Sequence, residues 1–191
     1  MSDPTVIDAA QAEADTRRWL ERAVIGLNLC PFAKAVHVKG QIHYLTYLDT
    51  HEGRLIDALL AEARALVALD AEVRDTTLLI VPHALADFLD FNDFTERAER
   101  KLARAGFDGV LQLASFHPHF QFGGTEPDDI TNATNRAPYP TLHLLREDSM
   151  DRAVEAFPEA EAIFERNIET LEALGPDGWT ALDVGPGSAT P

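Results

Sequence analysis

Apolar residues recur along the chain with two different periods, which divide it into helices and strands. Near the N-terminus they form one stripe at helical spacing, which consists of Trp19, Leu20, Ala23, Val24 and Leu27. This stripe predicts a helix over residues 6–27. The helix is expected to end before Pro31, because a residue that precedes proline is biased away from helical backbone angles. Cys30 would then lie at a C-terminal helix turn, where the helix dipole disfavours an anion.

Three short runs rich in β-forming residues alternate with two further helical stripes. Residues 42–48, 76–81 and 110–116 are the predicted strands, and Pro82 ends the second, which has the composition of a strand buried on both faces. Helices are predicted over residues 55–67 and 85–102, and Gly106 follows the second as its C-terminal cap. Strands and helices that alternate with short links are typical of βαβ units with parallel strands.

The predicted fold is therefore α/β, with α+β as the alternative. We expect a small mixed, largely parallel sheet of about four strands packed with helices. Residues 142–145 are the candidate fourth strand, although a helix start fits so short a run equally well. Pro158 is expected to open a last helix with an inner face of Ile163, Phe164, Ile168, Leu171 and Leu174. Residues 1–175 would form a single domain, and residues 176–191 a partly flexible C-terminal tail rich in glycine and proline.

Composition narrows the classes of partner. The 191 residues carry 16 basic and 32 acidic side chains, a formal charge of −16, which repels nucleic acid and anionic lipid surfaces. No apolar run reaches the roughly 18 residues that span a bilayer, and the N-terminal residues lack the pattern of a signal peptide. Cys30 is the only cysteine, so no intrachain disulfide can form. We therefore expect a cytoplasmic protein, with its oligomeric state left open.

Residues 117–140 follow neither period, although they include the aromatic anchors Phe120, Phe122 and Tyr139. An irregular stretch of this length in a compact domain usually binds something, and ligands of α/β sheets lie beyond the ends of buried strands. His117, directly after the third strand, is therefore a candidate functional residue. Asn135 and Arg136 add an amide and a planar guanidinium that suits carboxylates or phosphates. An ion pair between Arg136 and Glu147 within the protein would account for the presence of Arg136 equally well.

Three blocks of the sequence resemble a known family. GLNLCPFA at residues 26–33, ASFHP at 114–118, and TNRAPYP at 134–140 followed by HLLRE at 143–147 are similar to an uncharacterised bacterial family, domain of unknown function 1415. The similarity covers roughly residues 16–175. It implies no activity, substrate or cofactor, but it does imply which positions form the family pattern: Cys30, His117, Asn135, Arg136, His143, Arg146 and Glu147.

These residues support three hypotheses. In the first, the chain is a small-molecule enzyme in which Cys30 is the nucleophile or redox thiol and His117 or His143 is its base. Asn135 would orient the base or stabilise an oxyanion, and Arg136, Arg146 and Glu147 would bind the substrate, an anion in this hypothesis.

In the second hypothesis, Cys30, His117 and His143 hold a zinc ion, although they lack the close spacing of zinc motifs. In the third, the chain is a non-catalytic module that binds an anion or a protein, and Cys30 is simply a small buried residue. The sequence contains no Gly-rich phosphate loop, no G-x-S-x-G and no H-E-x-x-H, so the cofactor stays unknown.

Overall fold

The computed structural model describes residues 7–156 and 162–187. Its sheet has four strands in the order β1-β2-β4-β3. The strands are β1 (Ile42–Thr46), β2 (Thr76–Ile80), β3 (Leu111–Phe116) and β4 (Thr141–Arg146). The predicted α/β class and mixed four-stranded sheet are thus confirmed, and residues 141–146 form a strand rather than a helix.

The direction of the fourth strand corrects one part of the expected sheet. β1 and β2 are parallel neighbours, as a βαβ unit predicts, but β4 pairs with β2 on one side and with β3 on the other, antiparallel to both. β3 therefore has the same direction as β1 and β2 without touching them. The sheet is largely parallel in strand direction but not in pairing, because the chain returns through residues 117–140 and inserts β4 between β2 and β3.

The helices predicted near residues 6–27, 55–67 and 85–102 lie close to those positions, whereas α2 and α5 were not predicted. Asp8 caps the first helix by accepting a hydrogen bond from the backbone N–H of Gln11, and Asp87 caps the fourth in the same way. Gly106, at φ 88°, closes the fourth helix as predicted. The helices are α1 (Ala9–Trp19), continued as a π-helix (Leu20–Ile25), α2 (Ala33–Val38), α3 (Glu52–Ala68), α4 (Phe88–Leu102), continued as a π-helix (Ala103–Phe107), α5 (Glu147–Glu155) and α6 (Ile163–Ala181).

One side of the sheet, which we call the closed face, is sealed by α3 and α4. Leu79, Leu142 and Leu144 point from the central strands into a cluster that is completely buried. The two helices contribute Leu55, Leu59, Phe91 and Phe94 to it. Each of these apolar side chains stabilises the fold by roughly 1.5–3 kcal/mol through burial alone.

The opposite side, which we call the open face, carries a different set of elements. Tyr44, Leu78 and Ile80 point outward from β1 and β2 and pack against Trp19 and Leu20 of the first helix and its π-helical continuation. The C-terminal segment completes this cluster with Trp179, Leu182 and Val184. The two faces of the sheet, with different partners, therefore divide the domain into two apolar layers.

The C-terminal part differs in detail from its expected form. Pro158 lies outside the described residues. Within α6, Leu171 is buried as predicted, but Phe164 is 57% exposed and not on the inner face, and its ring contacts Phe122 edge to face. Helix α6 bends at Gly175, at φ 67°, and continues to Ala181. No helix of the described residues is long and apolar enough to cross a membrane.

Candidate functional site

A large cavity lies between the open face of the sheet and the segments that cover it. Its volume is about 660 Å³, which falls in the range of small-molecule sites. Most of the wall is apolar and includes Trp19, Leu20, Val24, Leu29, Val36, Ile42, Leu78, Phe116, Leu145 and Met150. The polar wall residues are Cys30, Asp75, Thr76, Thr134, Asn135, His143, Arg146 and Ser149.

Cys30 occupies the turn between the π-helix and α2. The backbone N–H groups of Phe32 and Ala33, at the start of α2, are hydrogen-bonded to its sulfur. Burial nevertheless outweighs these bonds and raises the pKa of the Cys30 thiol, so the sulfur is protonated at neutral pH. Cys30 follows the end of a helix, as the sequence predicts, but it also lies just before the start of the next helix, α2.

His143 projects from the middle of β4 onto the open face. Its Nε2 lies 2.5 Å from Oγ1 of Thr76 on the neighbouring strand β2. The same hydroxyl donates a hydrogen bond of 2.6 Å to the carbonyl oxygen of Leu144. Burial lowers the pKa of His143 to about 4, so the imidazole is neutral at physiological pH.

Asn135 ends the short 3₁₀ helix Ile130–Asn135, which Asp129 caps through its side chain. Its side-chain Nδ2 donates to the carbonyl oxygen of Ser115 on β3, at 3.2 Å, and its own carbonyl accepts the backbone N–H of His117. These two bonds attach the end of the long connection to the end of β3. They hold the amide of Asn135 at the wall of the cavity.

His117 lies on the other side of the sheet. It is completely buried against Phe88 and Phe91 of α4, and its Nε2 is 3.0 Å from the carbonyl oxygen of Leu85. Its Nδ1 accepts the backbone N–H of His119. Burial lowers the pKa of His117, and both ring nitrogens have partners. Strand alternation explains this placement: Ala114 and Phe116 point to the open face, and the next residue points away from it.

Arg136 stabilises the connection between β3 and β4 rather than lining the cavity. Its guanidinium donates to the carbonyl oxygens of Phe120 and Pro127, at 3.3 and 2.6 Å. Asn132, fully buried, accepts from the backbone of Phe122 and donates to Glu126 in the same segment. Residues 117–136 are therefore ordered by internal hydrogen bonds, and the suggested ion pair of Arg136 with Glu147 is not formed.

Arg146 reaches the cavity wall, and backbone carbonyls accept hydrogen bonds from two nitrogens of its guanidinium, Nε and Nη2. It donates to the carbonyl oxygens of Leu66 and Leu69 at the end of α3 and to that of Arg74. Glu147 starts α5, where its backbone N–H donates to Val110, and an acidic residue in the first turn suits the helix dipole. Asp75 Oδ1 lies 4.0 Å from Nε of Arg146, and Glu147 does not line the cavity.

The structure thus brings together four of the seven predicted site residues. Cys30, Asn135, His143 and Arg146 line the cavity, whereas His117, Arg136 and Glu147 do not. No hydrogen bond joins Cys30 to His143 among the described residues. Thr76 was missed by the sequence analysis. A threonine that starts a buried strand has no distinctive sequence signal, and its role depends on a pairing 67 residues away.

The zinc arrangement is not formed. His117 is on the opposite side of the sheet from Cys30 and His143, and no group of three or more histidine, cysteine, aspartate or glutamate side chains in the described ranges is arranged to hold a metal ion.

The fold and the cavity define a mixed α/β domain with a ligand-sized, largely apolar chamber that has a thiol, an imidazole and an amide in its wall. The family model described as "Protein of unknown function (DUF1415)" matches residues 11–181 of the chain. The chain belongs to this family. No curated protein and no solved structure is significantly similar to it.

Proposed function

We propose that the chain binds a small, largely apolar molecule in the cavity on the open face. The observation that supports this proposal is the cavity itself, about 660 Å³ in volume and walled mainly by aromatic and aliphatic side chains. Well-packed domains seldom contain voids much larger than a water molecule. A space of this size is typical of a binding site that is largely preformed.

The charges around the cavity favour a neutral ligand over the anion that the sequence suggested. Arg146 is the guanidinium in the wall, and backbone carbonyls accept hydrogen bonds from its Nε and Nη2. Asp75 is also in the wall, where it accepts a hydrogen bond of 2.6 Å from Ser149. Asp75 Oδ1 also lies 4.0 Å from Nε of Arg146, so an anion placed here would meet a guanidinium whose charge a neighbouring carboxylate already offsets.

A fluorescence titration with the neutral probe N-phenyl-1-naphthylamine tests this proposal. We expect saturable 1:1 binding to the wild-type protein. Ala153→Trp, on α5, places a large ring in the cavity and should weaken binding at least about tenfold. Ala61→Trp is the matched control, because Ala61 is exposed on α3 beyond the closed face, and it should bind as the wild type does. Equal binding by both variants would place the probe elsewhere and refute the proposal.

Catalysis by Cys30 is a second candidate, because the thiol and the His143 imidazole line the same cavity. Two backbone N–H groups at the sulfur would stabilise a thiolate once a ligand allowed proton transfer to the imidazole. The resting protein has the opposite preference, with a raised pKa for the thiol and a lowered pKa for the imidazole.

Alkylation by iodoacetamide separates binding from catalysis. A purely binding role predicts slow alkylation of Cys30 at pH 7 that changes little in His143→Phe. A catalytic role predicts fast alkylation at pH 7 that falls at least about tenfold in the same variant. Since Cys30 is the only cysteine, the modified mass reports on this site alone.

The net charge of −16 supports a protein that does not bind nucleic acid or anionic membranes. A filter-binding measurement with random duplex DNA at low salt tests the nucleic-acid part. Retention that decreases steeply with added salt would contradict it.

A further inference from the structure

The hydrogen bonds of Thr76 determine which nitrogen of His143 carries the proton. The carbonyl oxygen of Leu144 can only accept, so the Thr76 hydroxyl donates its single proton to that oxygen. Toward His143 the hydroxyl oxygen can then act only as an acceptor. Nε2 of His143 is therefore the protonated nitrogen, and Nδ1 carries the lone pair.

Nδ1 of His143 faces the cavity without a partner. No hydrogen bond reaches it, and Tyr44 Oη is the single fully buried, unpartnered side-chain nitrogen or oxygen among the described residues. Nδ1 is therefore in contact with open space, and the open space beside His143 is the cavity that it lines.

Asn135 adds a second acceptor to the same wall. Its Nδ2 must point toward the carbonyl oxygen of Ser115, because an amide oxygen there would face another oxygen. Oδ1 consequently points away from Ser115, and no hydrogen bond within the described residues reaches it. His143, held by the Thr76 hydroxyl, and Asn135, held by the Ser115 carbonyl, thus offer lone pairs, while Nη2 of Arg146 donates to the carbonyls of Leu66, Leu69 and Arg74.

We propose that the cavity selects molecules with an apolar body and a terminal hydrogen-bond donor, namely neutral alcohols, phenols or amides, and that His143 Nδ1 receives this donor. The inference rests on the proposed function. Thr76 is a positioning residue, because it fixes the protonation of the ring without itself contacting the ligand donor. The same arrangement disfavours a carboxylate, whose oxygens would meet the lone pairs of His143 and Asn135 and the carboxylate of Asp75 in the same wall.

Four probes of similar shape test the selection by calorimetric titration at pH 7. They are 2-naphthol, which donates, 2-methoxynaphthalene, which only accepts, naphthalene, which does neither, and 2-naphthoate, which is an anion. We expect 2-naphthol to bind about fivefold more tightly than naphthalene and 2-methoxynaphthalene, the ratio for one net hydrogen bond. We expect 2-naphthoate to bind at least about a hundredfold more weakly than 2-naphthol.

Two substitutions identify the acceptor. His143→Phe keeps an aromatic ring but removes the acceptor, so naphthalene should still bind and the advantage of 2-naphthol should disappear. Thr76→Val releases Nε2, which allows the proton to move to Nδ1, and the ratio between 2-naphthol and 2-methoxynaphthalene should fall from about five toward one. Thr76→Ser keeps the hydroxyl and should keep the ratio. A merely structural role of Thr76 would weaken all probes equally.

The outcomes separate this inference from the proposed function. If naphthalene binds but 2-methoxynaphthalene or 2-naphthoate binds as tightly as 2-naphthol, the selection is refuted and the apolar site remains. If an unchanged advantage of 2-naphthol persists in His143→Phe, the assignment of the acceptor is refuted. If none of the four probes binds the wild-type protein, the inference and the proposed function are refuted together.

Discussion

The two faces of one sheet are packed in different ways in this protein. On the closed face, α3 and α4 fill every position above the central strands, and Leu79, Leu142 and Leu144 have no exposed surface. On the open face, the same strands border a cavity of about 660 Å³. A filled apolar layer and a cavity thus lie on opposite sides of the same strands. Adjacent residues of a single strand therefore provide a controlled comparison of the two environments.

The largest effect should come from truncating neighbouring leucines of β4. Leu144→Ala removes a completely buried side chain from the closed face and should lower the free energy of unfolding by about 4 kcal/mol. Leu145→Ala enlarges a space that already exists and should lower it by only about 1 kcal/mol. Urea unfolding of both variants measures the difference. Equal losses would mean that the open face is packed as tightly as the closed face.

The pH dependence of stability should reveal the buried imidazole of the open face. The pKa of His143 is about 4 in the fold and 6.5 in the unfolded chain, so the unfolded chain binds the proton more readily between these values. Its contribution is complete above pH 6.5 and is lost as the pH falls toward 4. At most, this loss is about 3 kcal/mol.

Unfolding measured from pH 8 to pH 4 for the wild type and for His143→Phe isolates this contribution. The difference in unfolding free energy between the two proteins should change in favour of the variant as the pH falls below 6.5. Burial also lowers the pKa of His117, on the closed face, and that residue is unchanged in both proteins. A difference that is constant with pH would contradict the burial of the His143 ring.

Enlarging alanine side chains should also distinguish the two faces. The added volume should destabilise the filled closed face and be tolerated beside the cavity. Ala98→Leu introduces a larger side chain into the filled layer beneath α4 and should destabilise the fold by about 2 kcal/mol. Ala153→Leu extends into the cavity, and its change should be within about 0.5 kcal/mol of zero. Thermal unfolding of the two variants is the measurement. A large loss in Ala153→Leu would indicate that α5 has no free space beside it.

The smallest effect concerns the polar bonds at the edge of the open face. Asp15 is completely buried and pairs with Arg18, and it also accepts a hydrogen bond of 2.6 Å from the hydroxyl of Tyr139. Tyr139→Phe removes one donor but leaves the pair intact, and should lower the free energy of unfolding by about 1.5 kcal/mol. Urea unfolding tests this value. No measurable loss would mean that the hydroxyl bond contributes nothing in the folded state.

The two histidines show where inference from sequence reached its limit. Both belong to blocks that resemble the family pattern, and both lie among apolar residues. His117 has partners for both ring nitrogens within the closed layer, whereas His143 has one nitrogen bound by Thr76 and the other directed at the cavity. Side chains of a strand alternate between the two faces of the sheet, so the register of β4 decides on which face His143 lies. That register pairs His143 with Ala114, which points to the open face.

Local patterns by themselves determined most of the elements. Helical stripes and β-prone runs are encoded within about ten to twenty residues, so β1, β2, β3 and the helices α1, α3 and α4 follow from the sequence, whereas the run that forms β4 was too short to decide between strand and helix. The glycine closure of α4 at Gly106 is equally local, since it depends on one residue that tolerates a positive φ. Membership of the family also followed from short blocks, and the match over residues 11–181 confirms it.

Tertiary structure alone decided the insertion of β4 between β2 and β3, and with it the position of the site. A strand's neighbours are chosen by pairings between distant residues, such as Thr76 with His143 and Asn135 with Ser115, which leave no periodic trace in the sequence. The hydrogen-bond partners of Arg136 and Arg146 also depend on the tertiary structure. A guanidinium near a site has fewer donors for a ligand when the backbone takes some of them, and here carbonyl oxygens from other segments accept from Nε and Nη2 of both arginines.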